Sequence, residues 1–217
     1  METIVADSEF ARLLHEAQEG DEAAFAALFC SVQPRLLRYL RTVGGPLADD
    51  VAAETWLSVV RGLKGFRGNR AGWQSWVFTI ARARLVDAQR RADRSPRPVD
   101  TDLVLRDQAG PSDVSGSVDE MFSTEAALAL IAQLPRQQAE VVLLRHVVGL
   151  DVAHTARVLG RRAGAVRVAD HRGLRRLAEL LAERDAAGDE AGDRAGDEAG
   201  GGARDTTRCN ASGAVFG

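Results

Sequence analysis

The chain has 217 residues, 45% of them hydrophobic, and a formal net charge of −3. This length suits one or two globular domains. Cys30 and Cys209 lie far apart and outside any Cys-x-x-Cys or Cys/His cluster, which excludes a zinc site of the usual spacing. No apolar run approaches the roughly 20 residues of a membrane span, and the start lacks a signal-peptide pattern. We therefore expect a cytoplasmic protein without a cofactor, a metal ion or a membrane contact.

Positive charge is concentrated in two segments. Residues 82–97 contain six Arg and two Asp, and residues 157–176 contain seven Arg and one Asp. The end of the chain differs, because residues 185–217 contain seven acidic residues and three Arg. Two separate basic patches are typical of a protein that contacts nucleic acid in two places.

Apolar residues at helical spacing predict four helices in the first part of the chain. The first covers residues 8–19 and ends at Gly20, and Asp21 is expected to cap the second. Pro34 is expected to begin the third, which ends at Gly44 and Gly45. The fourth begins near Leu47, ends between Gly62 and Gly65, and has these predicted buried positions: Trp56, Val59, Val60 and Leu63.

The opening turn of the fourth helix is acidic. Asp49, Asp50 and Glu54 suit the positive end of a helix dipole. Two interpretations stay open, a simple helix cap with a solvated face or a surface that docks a partner.

A basic helix with aromatic residues follows, from about Gln74 to Ala92. Aromatic rings can stack on unpaired bases while Arg neutralises the phosphates, so this composition suits single-stranded nucleic acid. Burial in the core is the alternative for each Trp, because Trp is on average highly buried. The candidate contacts are Trp73, Trp76, Arg82, Arg84, Gln89, Arg90 and Arg91.

Prolines and glycines interrupt the next segment, which predicts two domains, residues 8–94 and 123–184, joined by a flexible acidic linker over 95–122. Ser123 is expected to cap the first helix of the second domain, and Pro135 to open the next. Residues 185–217 repeat Ala-Gly-Asp with Glu or Arg and are predicted to be disordered.

The second domain contains a predicted helix-turn-helix. Asp151 can cap a short helix and Gly160 can end it in a left-handed turn. The helix after it, Ala163 to about Leu181, is rich in Arg and has apolar positions at Val166, Leu174, Leu177 and Leu181. A short helix, a Gly turn and a basic second helix are typical of a motif that enters the DNA major groove, and an Arg-rich solvated helix is the alternative.

An enzyme is not predicted, and neither is a small-molecule substrate. His15, His146, His154 and His171 lie in helical segments without a nucleophile beside them, and there is no Gly-rich phosphate loop. The fold class expected is therefore all-α, with two small helical domains.

Three stretches, in this order, resemble sigma factors of bacterial RNA polymerase of the extracytoplasmic-function group, which have only regions two and four. ADDVAAETWLSVVRGLKGF resembles the region-two helix that binds the polymerase β′ clamp. WVFTIARARLVDAQRR resembles the segment that melts and reads the −10 element. AQLPRQQAEVVLLRHVVGLDVAHTARVLGRRAGAVRVADHRGLRRL resembles region four, which reads the −35 element.

The resemblance implies partners and roles for residues of this sequence. Core RNA polymerase, through its β′ clamp and β flap, promoter DNA and an anti-sigma factor are the implied partners. Polymerase contacts are implied for Asp49, Asp50, Glu54 and Trp56. Contacts with the −10 element are implied for the seven candidate residues named above for the helix from about Gln74 to Ala92. In region four, Ala165, Val168, Ala169 and Asp170 depart from the usual Thr, Ser, Arg and Leu. The expected −35 contacts are Arg161, Arg162, Ala165, Arg167, Val168, His171, Arg172 and Arg175.

Two alternatives to a sigma factor stay open at this point. A helix-turn-helix repressor or activator that works without polymerase would bind duplex DNA tightly at a palindromic site. A protein-binding adaptor would show no salt-dependent DNA binding. The acidic tail could compete with DNA for the Arg residues of region four, or it could be an inert extension.

Overall fold

The computed structural model describes the backbone of residues 2–94 and 118–200, and the side chains of residues 7–94 and 124–184. The fold is all-α, as the sequence predicts, with only helices and turns in the described parts of the chain. The α-helices are α1 (Glu2–Glu19), α2 (Glu22–Gly44), α3 (Ala48–Gly62), α4 (Arg70–Arg94), α5 (Val118–Ala132), α6 (Arg136–Val142), α7 (Val152–Leu159) and α8 (Ala163–Gly200).

Helices α1 to α4 pack around one apolar core. Leu36 and Leu40 of α2 and Val77 of α4 are fully buried, and the Tyr39 and Phe78 rings meet edge to face at 5.5 Å. The predicted cap of α2 is confirmed, because Asp21 Oδ1 accepts a hydrogen bond from the Ala24 N–H at 2.7 Å. Helix α1 ends at Glu19 as expected but begins at Glu2, before the expected residue 8.

Three expectations for helix positions are wrong. Pro34 lies inside α2 and does not begin a helix, since Val32 and Leu36 on either side of it are buried and hold one continuous helix. Ser123 lies inside α5, which begins at Val118. Val60 is 53% exposed, because Val59 occupies the buried face of α3 at this level.

The helix-turn-helix forms as the sequence predicts. Asp151 Oδ1 accepts a hydrogen bond from the His154 N–H at 2.7 Å and caps α7. Gly160 ends α7 with a φ of +62°, in the left-handed region where glycine pays no Cβ penalty. A π-helical turn, Leu143–Val147, connects α6 towards α7, and its Leu143 and Leu144 are fully buried.

Helix α8 approaches α6 at a glycine. A Cβ on Gly173 would lie 2.7 Å from Val142 Cγ2 and 3.4 Å from Gln138 Cβ. Val166 is fully buried, whereas Leu174 and Leu181 are 43% and 46% exposed. The apolar face predicted for α8 is thus wrong at these two leucines, because the helix packs through Val166 and Gly173 instead.

The chain divides into two compact units, residues 1–177 and 178–217. In the second unit the backbone is helical as far as Gly200, where the sequence predicts disorder. Residues 185–200 lack proline and contain five Ala, the residue with the highest helix propensity, together with four Gly and four Asp, which have low helix propensity. The predicted linker residues 95–117 and tail residues 201–217 lie outside the described residues. Among the described helices, none is long and apolar enough to cross a membrane.

Candidate nucleic-acid interface

The first turns of α8 present a basic face to solvent. Positions 165, 168 and 172 recur at helical spacing along it, and Val168 at its centre is 52% exposed. Seven of the eight expected −35 contacts are exposed, and Arg161 is half-buried. The exposed ones are Arg162, Ala165, Arg167, Val168, His171, Arg172 and Arg175.

This face borders an open groove of about 630 Å³ between α8 and the start of α6. Arg161 donates a hydrogen bond to Gln137 Oε1 at 3.1 Å, which joins the two walls. Ala165 and Val168 form an apolar strip in the groove, and Arg172 lies beyond them. The groove offers cations at its edges and small apolar side chains in the middle, which suits phosphates and base edges respectively.

Asp170, the single acid among the Arg residues of this segment, is turned away from that face. Its side chain is 16% exposed and its carboxylate lies 2.9 Å from His146 Nε2 and 3.5 Å from Arg145 Nε. Arg145 also donates to the Leu150 carbonyl at 2.6 Å, so it connects α8 with the loop before α7. Asp170, which stands where Leu is usual, therefore leaves the exposed face basic. Its ion pairs connect α8 to the π-helical turn.

In α4 the two candidate tryptophans have different environments. Trp73 is 1% exposed, so it is a core residue and cannot contact DNA directly, which corrects that expectation. Trp76 is half-buried and stacks on the Phe66 ring at 5.0 Å. A cleft of about 560 Å³ opens beside Trp76 and is lined by Phe66, Arg67 and Thr79. This is a site of a suitable kind for an unpaired base.

The loop before α4 is held in place by hydrogen bonds from α1 and by a cap at the start of α4. Gln18 of α1 donates to the carbonyls of Leu63 and Phe66, both at 2.9 Å. Asn69 Oδ1 accepts from the Gly72 N–H at 2.9 Å and caps the start of α4. The Phe66 side of the cleft beside Trp76 is therefore held in place without a ligand.

Most polar candidates on α4 are occupied by other side chains. Arg84 donates to Ser58 Oγ at 3.0 Å, and Arg91 lies 3.3 Å from Glu54. Arg82 lies 3.5 Å from Glu140, and Gln89 accepts from Arg136 at 2.5 Å. Arg90 is exposed and lies 4.0 Å from Asp87. Glu140 and Arg136 come from α6, and no local sequence pattern marks either contact.

The outer face of α3 carries the acids of the predicted polymerase site. Asp49 and Asp50 are exposed and Glu54 is half-exposed. Trp56 is 8% exposed, and its indole N–H donates to Gln33 Oε1 at 2.6 Å, so its role is packing and not a direct contact. Leu57 and Val60 are 58% and 53% exposed on the same helix, and neither is among the polymerase contacts expected from the sequence. Acids next to exposed apolar side chains are typical of a protein-binding surface.

The pKa values of two groups, the Asp151 carboxyl and the Tyr39 phenol, are shifted from their ordinary values. Hydrogen bonds from His154, first from its backbone N–H and then from its side chain, lower the pKa of Asp151. Burial, and then the Glu140 charge, raise the pKa of the Tyr39 phenol. Neither group lies on the basic face of α8. In the part of the chain whose side chains are described, no cluster of His, Cys, Asp or Glu could hold a metal ion.

Comparison with known proteins identifies the two helical parts. The Sigma-70 region 2 family model matches residues 28–95, and the Sigma-70 region 4 family model matches residues 124–177. The ECF RNA polymerase sigma factor BldN of Streptomyces coelicolor is 35% identical over 183 residues, which are 82% of this chain and 69% of BldN. The chain belongs to the ECF RNA polymerase sigma factors. This membership confirms the resemblance seen in the sequence. As a sigma factor, the protein directs RNA polymerase to promoters.

Other relatives agree with this membership. The ECF sigma factor ShbA of Streptomyces griseus is 36% identical over 182 residues, covering 77% of this chain and 93% of ShbA. Among solved structures, the sigma factor RpoE in complex with the anti-sigma factor NepR from Bartonella quintana has a TM-score of 0.53 at 20% identity. That match covers 72% of this chain and 96% of RpoE, and it supports the fold.

Proposed function

We propose that this sigma factor reads the −35 element with residues 123–184 and opens and holds the −10 element with residues 8–94. The observation that carries the proposal is the exposed basic face of α8 beside its groove. Binding duplex DNA and holding a melted strand are different tasks, which suits two recognition surfaces in one chain.

For the −35 element, Arg side chains supply affinity and base contacts supply specificity. Phosphate contacts by Arg172 and Arg175 would make binding fall steeply with salt. Arg162 and Arg167 are exposed at the start of α8, where they could each make two hydrogen bonds to a guanine edge. Asp170 does not oppose them, because its carboxylate is paired with Arg145 and His146.

For the −10 element, the cleft beside Trp76 would receive a flipped base. Unstacking a base costs on the order of a few kcal/mol, so a preformed pocket with an aromatic wall is needed to hold it. Trp73 packs behind that wall in the core, and its ring centroid lies 5.5 Å from the ring centroids of both Phe66 and Trp76. Arg84, Arg90 and Arg91 would follow the phosphates of the strand.

For polymerase, the outer face of α3 would dock on the β′ clamp through Asp49, Asp50 and Glu54, with Leu57 and Val60 as the apolar part. Region four would dock on the β flap. An anti-sigma factor is a further proposed partner, since RpoE was solved with one. We place the protein in the cytoplasm, where polymerase works, and assign it no catalysis of its own.

Run-off transcription with core polymerase tests the proposal. On genomic DNA, the holoenzyme should give transcripts with a shared upstream sequence. Arg167→Ala should lower transcription from such promoters by about 5- to 150-fold, the equivalent of about 1–3 kcal/mol for a lost bidentate contact. Arg12→Ala, in which an exposed Arg paired with Glu16 is removed from α1, is the matched control and should change little.

The same assay distinguishes a sigma factor from a helix-turn-helix regulator that works without polymerase. No promoter-specific transcript from a folded chain with core polymerase would contradict the proposal. Tight binding of the free chain to a palindromic duplex would instead indicate a regulator that works without polymerase.

A further inference from the structure

Helix α6 of region four contacts Arg82 and Gln89 of α4, two of the side chains for which the sequence predicts contacts with the −10 strand. Arg82 Nε lies 3.5 Å from Glu140 Oε2, and Arg136 donates to Gln89 Oε1 at 2.5 Å. We name these four residues the α4–α6 contact. The two regions are joined here by a carboxylate on an arginine, which is the same chemistry as a phosphate on an arginine.

Glu140 is buried at the centre of this contact. Its side chain is 8% exposed and lies 3.4 Å from Arg136 Nε, in addition to Arg82. The Arg82 side chain is 28% exposed, so most of it is withdrawn from solvent. A phosphate cannot reach Arg82 while Glu140 holds that position.

A second element of region four covers the neighbouring cleft. Helix α7 packs along α4, and its Arg157 lines the cleft beside Trp76 together with Ser75 and Thr79. The α4–α6 contact and Arg157 therefore occupy two successive parts of the proposed −10 surface.

We propose that Glu140 closes region four over α4 and so excludes the −10 strand from the free sigma factor. This inference rests on the proposed function of α4. The promoter strand and Glu140 compete for Arg82, so only one of them binds it at a time. The −10 surface becomes available when α6 and α7 move off α4. Glu140 thus acts as an intramolecular substitute for a promoter phosphate.

The chemistry of the contact makes this closure reversible. Tyr39 Oη and Arg82 Nε are buried without a hydrogen-bond partner, even though Arg82 is within ion-pair distance of Glu140. Burying charges costs free energy that an imperfect pair recovers only in part. A competing anion or a polymerase surface that binds α3 and region four separately can therefore open it.

The test compares binding of the free, full-length chain to a fluorescein-labelled 12-nucleotide single-stranded DNA of mixed sequence. Glu140→Gln keeps the shape and leaves Arg82 and Arg136 without an anion. It should bind the DNA at least about threefold more tightly, because apparent affinity rises with the fraction of the open state. Glu125→Gln removes the same charge from an exposed position of α5 and should bind like the wild type.

A double-mutant cycle assigns the gain to Arg82. The Arg82→Gln, Glu140→Gln chain should lose most of the gain, because the residue that Glu140 releases is then absent. An equal gain with and without Arg82 would contradict the proposal.

A distance measurement tests closure without DNA. Donor and acceptor dyes on Cys30 and on Ala132→Cys, both exposed positions, in a Cys209→Ser chain report the separation of α2 and α5. Energy transfer should be lower for Glu140→Gln than for the wild type. If Glu140→Gln fails to unfold cooperatively, Arg136→Ala replaces it, since the Arg136 side chain is 53% exposed.

The outcomes separate the two proposals. Folded Glu140→Gln with unchanged DNA affinity and unchanged energy transfer overturns the role of Glu140, even if the wild type transcribes from promoters. Lower energy transfer together with no promoter-specific transcription keeps the closure and rejects the proposed function instead.

Discussion

Helices α4 and α8 are both basic and both proposed to contact DNA, yet their side chains have opposite environments. On α8, Arg162 and Arg167 are exposed to solvent, and Arg172 lines an open groove. On α4, Arg82 and Gln89 are held by α6, and Trp73 is in the core. A basic, aromatic sequence therefore predicts a contact with nucleic acid, but the tertiary packing decides which side chains are available for it.

The largest expected effect comes from the two tryptophans of α4. Trp73→Ala should lower the free energy of unfolding by about 3–5 kcal/mol, because it empties a fully packed position. Trp76→Ala should cost less stability and weaken binding of single-stranded DNA by about 1–3 kcal/mol per stacked base. Urea unfolding and fluorescence anisotropy measure the two quantities.

Trp73→Ala also tests whether the side chains of α4 are buried in solution as they are in the structure. If Trp73→Ala unfolds at the wild-type urea concentration and loses DNA binding, then Trp73 is not a core residue in solution. The difference between α4 and α8 would then be smaller than the structure indicates.

Short-range signals explain why the helix-turn-helix was predictable. Asp151 and Gly160 act within one turn of the chain, so their roles could be read from sequence spacing. The order of helices and the exposed face of α8 follow from the same local periodicity.

The remaining features depend on residues far apart in the sequence. Glu140 contacts Arg82 from 58 positions away in the sequence, and no local pattern marks either residue as half of a pair. Pro34 does not begin a helix, because the tertiary packing of Val32 and Leu36 outweighs the preference of proline for a helix start.

Gly173 gives the next largest effect. Gly173→Ala should lower the stability of region four by about 1–3 kcal/mol, because the added Cβ would lie 2.7 Å from Val142 Cγ2. The control is Gly164→Ala, where nothing lies within 4 Å. It should leave stability unchanged or raise it by up to about 1 kcal/mol through helix propensity. Equal effects of the two substitutions in thermal unfolding would show that α8 does not approach α6 closely.

A smaller effect is expected at the cap of α7. Asp151→Ala should cost about 1 kcal/mol, and Asp151→Asn much less, because Asn can accept the same hydrogen bond from the His154 N–H. The pKa of Asp151 is lowered in the folded chain, so its carboxylate adds stability above its ordinary pKa of 3.8. That contribution is lost as the pH falls through the lower, folded value. Asp151→Asn should therefore show a weaker loss of stability in acid, measured by urea unfolding across pH 2 to 6, and an unchanged acid profile would contradict the cap.

The smallest effect is predicted for Tyr39, which lies where α2 meets the α4–α6 contact. Its hydroxyl is buried without a hydrogen-bond partner, so Tyr39→Phe removes an unsatisfied group and should change stability at neutral pH by about 0–1 kcal/mol in the favourable direction. Burial raises the pKa of the phenol above its ordinary value of 10.0, and ionisation is therefore easier in the unfolded chain. The wild type is fully stabilised by this group below pH 10 and loses stability as the pH rises above it. Tyr39→Phe should lack that part of the alkaline loss in urea unfolding at pH 7 to 11. A clear loss of stability at pH 7 would mean that the hydroxyl finds a partner in solution, and Glu140 would then be held at the α4–α6 contact by one more polar group.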